Sequence, residues 1–185
     1  MSLYKSPRPS IDNCTPMKHV LLPIALVTSA ASAHAWNLEF QLGSNNPSDS
    51  LWDNGTVTGM SVSFNAAPQV CLGLTVSGAN FDIDDIDVTE IDTLTATFDL
   101  RYDLSNGGIK PYIGASFGNT WADYEGGDTT ALTTSVNLGI AYEISSTTSF
   151  VIGSRFYRVW DVDVEGLDIG DLEGVEGFVA IRFKI

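Results

Sequence analysis

The chain has 185 residues, enough for a single domain, and combines 44% hydrophobic with only 17% charged residues. The charge is strongly negative, with 9 Lys and Arg against 23 Asp and Glu and a formal net charge of −14. This balance excludes nucleic acid as a partner, because phosphate binding requires a basic face. No apolar run reaches the roughly 18 residues of a transmembrane helix, and the low charge density is not typical of a disordered chain.

Residues 17–35 have the three parts of an export signal. Met17 to His19 form a short basic segment, residues 20–27 are apolar, and Ala33-His34-Ala35 matches an A-x-A cleavage site. The apolar part is too short to span a bilayer. We therefore expect residues 17–35 to be a cleaved signal peptide rather than a buried helix of the domain. Residues 1–16 would be an upstream extension, with Met17 as the true start, and residues 36–185 the mature domain.

Removal of this leader would change the inventory of reactive side chains. Residues 36–185 contain 6 basic and 22 acidic residues, a net charge of −16. Cys71 is the one cysteine among them, so no disulfide can form within the mature domain. Both histidines, His19 and His34, lie in the leader.

The rest of the sequence alternates between apolar and polar residues with a period of two, which is typical of strands with two unlike faces. The alternation predicts eight strands, at 36–43, 56–66, 70–78, 94–104, 109–121, 132–144, 150–160 and 175–185. Several have 11–13 residues. Strands of soluble proteins average about 5–6 residues, whereas a tilted membrane-spanning strand needs about 9–11.

The connections alternate in length. Short ones lie at 67–69, 105–108 and 145–148, and long ones at 44–55, 79–92, 122–130 and 161–174. This order predicts an all-β fold, a closed eight-stranded antiparallel up-and-down transmembrane β-barrel with short periplasmic turns and long acidic outer loops. A soluble β-sandwich or lipocalin-like barrel is the alternative, because its strands also have unlike faces. Aromatic residues near strand ends favour the membrane barrel, where they would form interfacial girdles: Trp36, Trp121, Tyr142, Phe150 and Trp160.

Two segments resemble a known family. Residues 108–118, GIKPYIGASFG, resemble the xPYxGxGxG-type fifth strand of the small eight-stranded outer-membrane barrels of Gram-negative bacteria, the family of the membrane domain of outer membrane protein A. Residues 177–185, GFVAIRFKI, are similar to the C-terminal signal read by the barrel-assembly machinery. That signal usually ends in Phe, whereas here Phe183 precedes a terminal Ile185. The resemblance covers residues 36–185 and implies that Phe183 and Ile185 form the assembly signal.

The polar face of the strands carries charges of both signs, which the barrel would place inside: Glu39, Asp99, Arg101, Asp103, Glu143, Arg155, Glu176 and Arg182. Side chains just fill the bore of an eight-stranded barrel, and buried charges are costly unless paired. We therefore expect acids and bases on neighbouring strands to pair and plug the lumen. A gated pore whose ion pairs exchange partners is the alternative. Several glycines fit crowding in a narrow barrel: Gly114, Gly118, Gly139 and Gly153.

Seventeen of the 22 acidic residues after position 35 lie in the long connections. The simpler interpretation is a solvated, like-charged rim that keeps the loops extended. Clustered carboxylates also suit Ca²⁺ or Mg²⁺, which makes Asp82, Asp84, Asp85 and Asp87 candidate cation ligands. The segment is not an EF-hand, since it lacks the turn glycine and the distal glutamate.

Enzymes built on small outer-membrane barrels need a histidine, which residues 36–185 do not contain. We therefore expect a non-enzymatic protein with no resident cofactor, exported to the Gram-negative outer membrane. Its expected partners are outer-membrane lipid, lipopolysaccharide and the barrel-assembly machinery, and it is expected to be a monomer. Two functions stay open: a structural or surface-interaction role with an ion-paired interior, or a narrow porin-like channel for small solutes or ions.

Overall fold

The computed structural model describes residues 36–48, 54–81, 91–124, 127–164 and 167–185. Every regular element in these ranges is a β-strand. In chain order the strands are β1 (Trp36–Pro47), β2 (Gly55–Ala67), β3 (Val70–Phe81), β4 (Ile91–Asp103), β5 (Ile109–Tyr124), β6 (Gly127–Glu143), β7 (Thr148–Val164) and β8 (Leu167–Lys184). No helix in these ranges is long and apolar enough to cross a membrane.

The eight strands close into one antiparallel barrel. Each strand pairs with its sequence neighbours, and β1 pairs with β8. A row of paired residues that starts at Asp103 returns to β4 at Thr93, ten positions along the strand, after passing Tyr112, Gly139, Gly153, Phe178, Gly43, Val57 and Ala79. This stagger tilts the strands against the barrel axis, as closure requires. The predicted closed eight-stranded barrel is thus confirmed.

The strands extend beyond their predicted limits, mainly at the end with the long connections. We call this end the outer end and the end with the short turns the periplasmic end. Only residues 125–126 separate β5 from β6, and only residues 165–166 separate β7 from β8. The long connections expected at 122–130 and 161–174 are therefore mostly strand. Seven acidic residues that were expected in these two loops lie on strands instead: Asp123, Asp128, Asp161, Asp163, Asp168, Asp171 and Glu173. Asp92, expected in the 79–92 loop, lies on β4.

The two faces of the barrel wall have opposite character. The outward parity of each strand carries exposed large hydrophobic side chains, among them Phe40, Leu42, Met60, Leu94, Phe98, Phe117, Leu138, Ile152, Phe156 and Ile181. The inward parity carries buried small or polar side chains, among them Thr75, Thr97, Ser116, Thr133 and Ser135. An apolar outside around a polar inside is typical of a transmembrane barrel and is the reverse of a water-soluble one.

Two apolar clusters lie inside the barrel. The outer cluster contains Val57, Ala79, Ile91, Ala131, Val159 and Leu172. The inner cluster, nearer the periplasmic end, contains Tyr112, Ala141, Val151, Phe178 and Ala180. Ile91 and Val151 have at most 1% of their surface exposed. The clusters flank a polar section of the lumen, where most of the interior charges lie.

Candidate functional site in the barrel lumen

Two ion pairs cross between neighbouring strands inside the barrel. Arg182 on β8 donates from Nε to Oε2 of Glu39 on β1 over 2.7 Å. Arg155 on β7 donates from Nη1 to Oε2 of Glu176 on β8 over 2.8 Å, and from Nε to Asn137 over 3.2 Å. Both glutamates are buried. Loss of either arginine would leave an uncompensated carboxylate, the costly situation for buried charge.

Four of the predicted lumen charges are arranged differently from the expectation of pairs between neighbouring strands inside the bore. Arg101 pairs with Asp103 over 2.6 Å along the same strand, because residues two apart point to the same side. Glu143 pairs with Lys110 over 2.5 Å at the open periplasmic end, with 43% of its side chain exposed. Its position at the end of β6 takes it out of the narrow part of the bore.

Asp99 is the fourth of these charges. Within the described ranges it has no basic side chain at ion-pair distance. It accepts hydrogen bonds instead, from Thr75 Oγ1 over 2.5 Å and from Thr97 Oγ1 over 3.1 Å. Hydroxyl groups on β4 itself and on neighbouring β3 therefore bind the Asp99 carboxylate, whereas a basic side chain was the partner expected from the sequence.

Aromatic rings fill the lumen beside these charges, which sequence reasoning missed. Tyr112 and Phe178 are buried on the inward face, and they belong to the row of paired residues that contains Gly139 and Gly153. The Arg101 guanidinium lies 4.4 Å from the centre of the Tyr112 ring, and the Arg155 guanidinium 5.6 Å from that of Phe178. The sequence signal for these rings was the pair Gly139 and Gly153, because residues without a side chain leave room for rings from other strands.

The polar section toward the outer end is lined by hydroxyl groups. Thr120 is hydrogen-bonded to Thr133 over 2.5 Å and to Thr95 over 2.8 Å, so one network spans β4, β5 and β6. Two small cavities lie along the lumen, of about 70 and 60 Å³. Arg155 lines both of them. Its side chain therefore lies at the division between the two open spaces.

The predicted girdle residues lie at the two ends of the outer surface. Tyr142 and Phe150 are directly paired near the periplasmic end, where Trp36 packs against Phe64 with ring centres 5.4 Å apart. Trp121 and Trp160 lie toward the outer end. Their role as membrane girdles stays a prediction.

The predicted assembly signal lies on the closing strand. Phe183 points outward and packs against Phe40 with ring centres 6.5 Å apart. Ile185 exchanges backbone hydrogen bonds with Trp36 over 2.8 and 3.1 Å, which joins the last residue to the first strand. Recognition of Phe183 and Ile185 by the barrel-assembly machinery stays a prediction.

The candidate cation ligands Asp82, Asp84, Asp85 and Asp87 lie outside the described residues. Among the residues that are described, no three acidic, histidine or cysteine side chains are grouped so that they could hold a metal ion. Cys71, the one cysteine after position 35, is buried and not in a disulfide.

A closed antiparallel barrel with an apolar exterior and a charged, aromatic-filled interior defines the class of small transmembrane β-barrels. The chain belongs to the outer membrane protein beta-barrel domain family, whose model matches residues 20–172. This membership supports a location in the outer membrane. No curated protein matches the sequence.

Solved structures of the same fold cover nearly all of the barrel. The chain is similar to Neisserial surface protein A, with 17% identity, a TM-score of 0.66, and coverage of 81% of this chain and 97% of that one. It is similar to OprG from Pseudomonas aeruginosa, with 14% identity, a TM-score of 0.57, and coverage of 83% and 96%. The N-terminal barrel domain of Pseudomonas aeruginosa OprF has 13% identity, a TM-score of 0.52, and coverage of 80% and 97%. At these identities the similarity shows the fold alone.

Proposed function

We propose that the protein is exported by residues 17–35 and serves as a non-enzymatic outer-membrane barrel with a structural or surface-interaction role. Its lumen is closed by ion pairs and aromatic rings, so that its contacts with the surroundings are made by the outer surface and the outer loops. The lack of histidine after position 34 supports the non-enzymatic part. The chemistry of histidine-dependent barrel enzymes has no base here.

The observation that carries the closed lumen is the position of Arg155. Its guanidinium binds Glu176 and Asn137 and lies over the Phe178 ring, and the same side chain lines both small cavities. A solute passing along the axis would have to displace a buried charged group from all of these partners, which is energetically costly. The outer apolar cluster gives further support, because an apolar constriction resists wetting.

A narrow channel for small solutes or ions is the competing function, and planar-bilayer conductance separates the two. We expect the wild-type protein to give no stable conductance. Arg155→Ala should raise the frequency of openings, since it removes the side chain between the cavities, and Lys110→Ala at the periplasmic mouth is the matched control. Stable conductance by the wild type that shifts with Arg155→Ala or Arg182→Ala would establish the channel instead.

A further inference from the structure

The outward face of β7 and β8 becomes charged where its apolar surface ends. From the periplasmic end, the outward side chains of β7 are Phe150, Ile152, Ser154 and Phe156, followed by Arg158 and Trp160. On β8, Val175 is followed by Glu173, which is directly paired with Arg158, and then by Asp171. In an outer-membrane barrel this boundary lies at the level of the outer-leaflet headgroups.

The side chains at this boundary hold one another in place. Arg158 donates from Nε to Oδ2 of Asp171 over 2.9 Å, and its Nη1 lies 3.2 Å from Oε1 of Glu173. The guanidinium lies 4.0 Å from the centre of the Trp160 ring, and Trp160 Nε1 donates to Thr134 over 2.9 Å. The Arg158 side chain remains 41% exposed. A guanidinium has more N–H donors than these two carboxylates occupy, so it can bind another acceptor without releasing them.

Among residues 36–185, Arg158 is the one basic residue on the outer half of the outward surface. Of the six basic residues in 36–185, three line the lumen and two lie at the periplasmic end: Arg101, Arg155, Arg182, Lys110 and Lys184. Other outward charges near the outer end are acidic and exposed: Asp92, Asp123 and Asp128. A surface of this sign repels anionic lipid. Arg158 is therefore the one basic side chain of residues 36–185 at this level of the outward surface.

We propose that Arg158, Trp160, Asp171 and Glu173 form a binding site for the phosphate of an outer-leaflet glycolipid, together with a divalent counter-cation. Arginine binds phosphate through charge-assisted hydrogen bonds in a planar geometry. The two carboxylates give the site a net charge of −1, which opposes a bare phosphate. Mg²⁺ or Ca²⁺ reverses this, because either ion takes oxygen ligands from carboxylates and phosphates together. This proposal rests on the proposed surface-interaction role and specifies the class of ligand for that role.

Native mass spectrometry of the folded protein tests this site, with lipid A carrying two phosphates as the probe and Mg²⁺ present. We expect Arg158→Gln to weaken binding about tenfold, as the loss of one charged hydrogen-bond partner implies, and Arg158→Lys to retain part of the affinity. Chelation of Mg²⁺ and removal of both lipid A phosphates should each weaken binding. Lys110→Gln, at the opposite end of the barrel, should bind like the wild type. The folded state of each variant is checked by its mobility shift on heating.

Equal binding by wild type and Arg158→Gln would overturn the site, as would equal binding of lipid A with and without its phosphates, or with and without Mg²⁺. Displacement of lipid A by an equal concentration of inorganic phosphate would overturn its assignment to a lipid. Failure of the wild type itself to bind lipid A would remove this glycolipid from the proposed surface role. That failure would not bear on the closed lumen, because the conductance measurement tests the lumen separately.

Discussion

A Cβ atom on Gly153 would lie 2.5 Å from the hydroxyl oxygen of Tyr112, two strands away. Gly139 lies between them on the same row of paired residues, and a Cβ there would be 2.6 Å from the same oxygen. The Tyr112 side chain therefore crosses the inner wall over two glycines toward Phe178. Close approach of a ring to the backbone is the physical reason for glycine at these positions.

The contact between Gly153 and Tyr112 predicts that Tyr112→Phe restores part of the stability lost in Gly153→Ala. Gly153→Ala should cost about 1–3 kcal/mol of unfolding free energy, the usual range for an overpacked interior. Tyr112→Phe should recover part of that cost, because it removes the nearest atom while Phe178, with an atom 2.6 Å from the added Cβ, remains. Urea unfolding in detergent or lipid, arranged as a double-mutant cycle, measures the coupling.

Gly139→Ala is the matched control for this rescue. The atom nearest to its added Cβ is the backbone oxygen of Ile152, at 2.4 Å, which no side-chain substitution removes. Tyr112→Phe should therefore rescue Gly139→Ala less than Gly153→Ala. If Gly153→Ala and Tyr112→Phe changed the unfolding free energy additively, the added methyl group and the Tyr112 hydroxyl would not compete for the same space.

Charge on the outward face should be expensive in proportion to depth. Leu138→Arg and Phe98→Arg, within the apolar surface, should each cost about 2–4 kcal/mol, whereas Thr130→Arg should cost only about 0–1 kcal/mol. Thr130 is the matched control for Leu138, since both are exposed on the same face of β6 and Thr130 lies near its outer end. Unfolding free energies in lipid vesicles measure the difference. Equal costs along β6 would mean that this face does not contact hydrocarbon.

The buried and exposed ion pairs should differ in their contribution to stability. Arg182→Ala leaves Glu39 buried without its partner and should cost about 3–5 kcal/mol. Lys110→Ala removes a pair at the solvent-exposed end and should cost no more than about 1 kcal/mol. Glu39→Gln combined with Arg182→Met should recover most of the larger loss. The same unfolding assay checks all three, and a small effect of Arg182→Ala alone would count against a closed, poorly hydrated lumen.

Much of the fold was predictable from the sequence, because alternation with a period of two both marks a strand and assigns its faces. Leu138 and Asn137 illustrate this, since these adjacent residues of β6 point to opposite sides, the apolar one outward and the polar one inward. The outer ends of the strands were not predictable. There the segments around Asp123 and Asp171 are too polar to show an apolar face, and pairing rests on backbone hydrogen bonds to the neighbouring strand.

The lumen contacts were predictable only in composition. The sequence places Asp99, Arg101 and Arg155 on the inward face, but their partners depend on the register between strands. Register decides that Glu176 lies directly opposite Arg155, whereas Gly73 and Ser116 lie opposite Asp99. The same long-range information was needed to recognise that Gly139 and Gly153 make room for Tyr112.

The closed lumen is tested most directly by the reactivity of a cysteine placed inside it. Thr133 is 4% exposed in the outer half of the lumen, and Asn106 is exposed in a periplasmic turn. In folded protein whose own cysteines, Cys14 and Cys71, are replaced by serine, a water-soluble maleimide should label Asn106→Cys rapidly and leave Thr133→Cys unlabelled. Both should react after unfolding. Labelling of folded Thr133→Cys at a rate comparable to Asn106→Cys would mean that water and solutes reach the interior, and it would contradict the closed lumen.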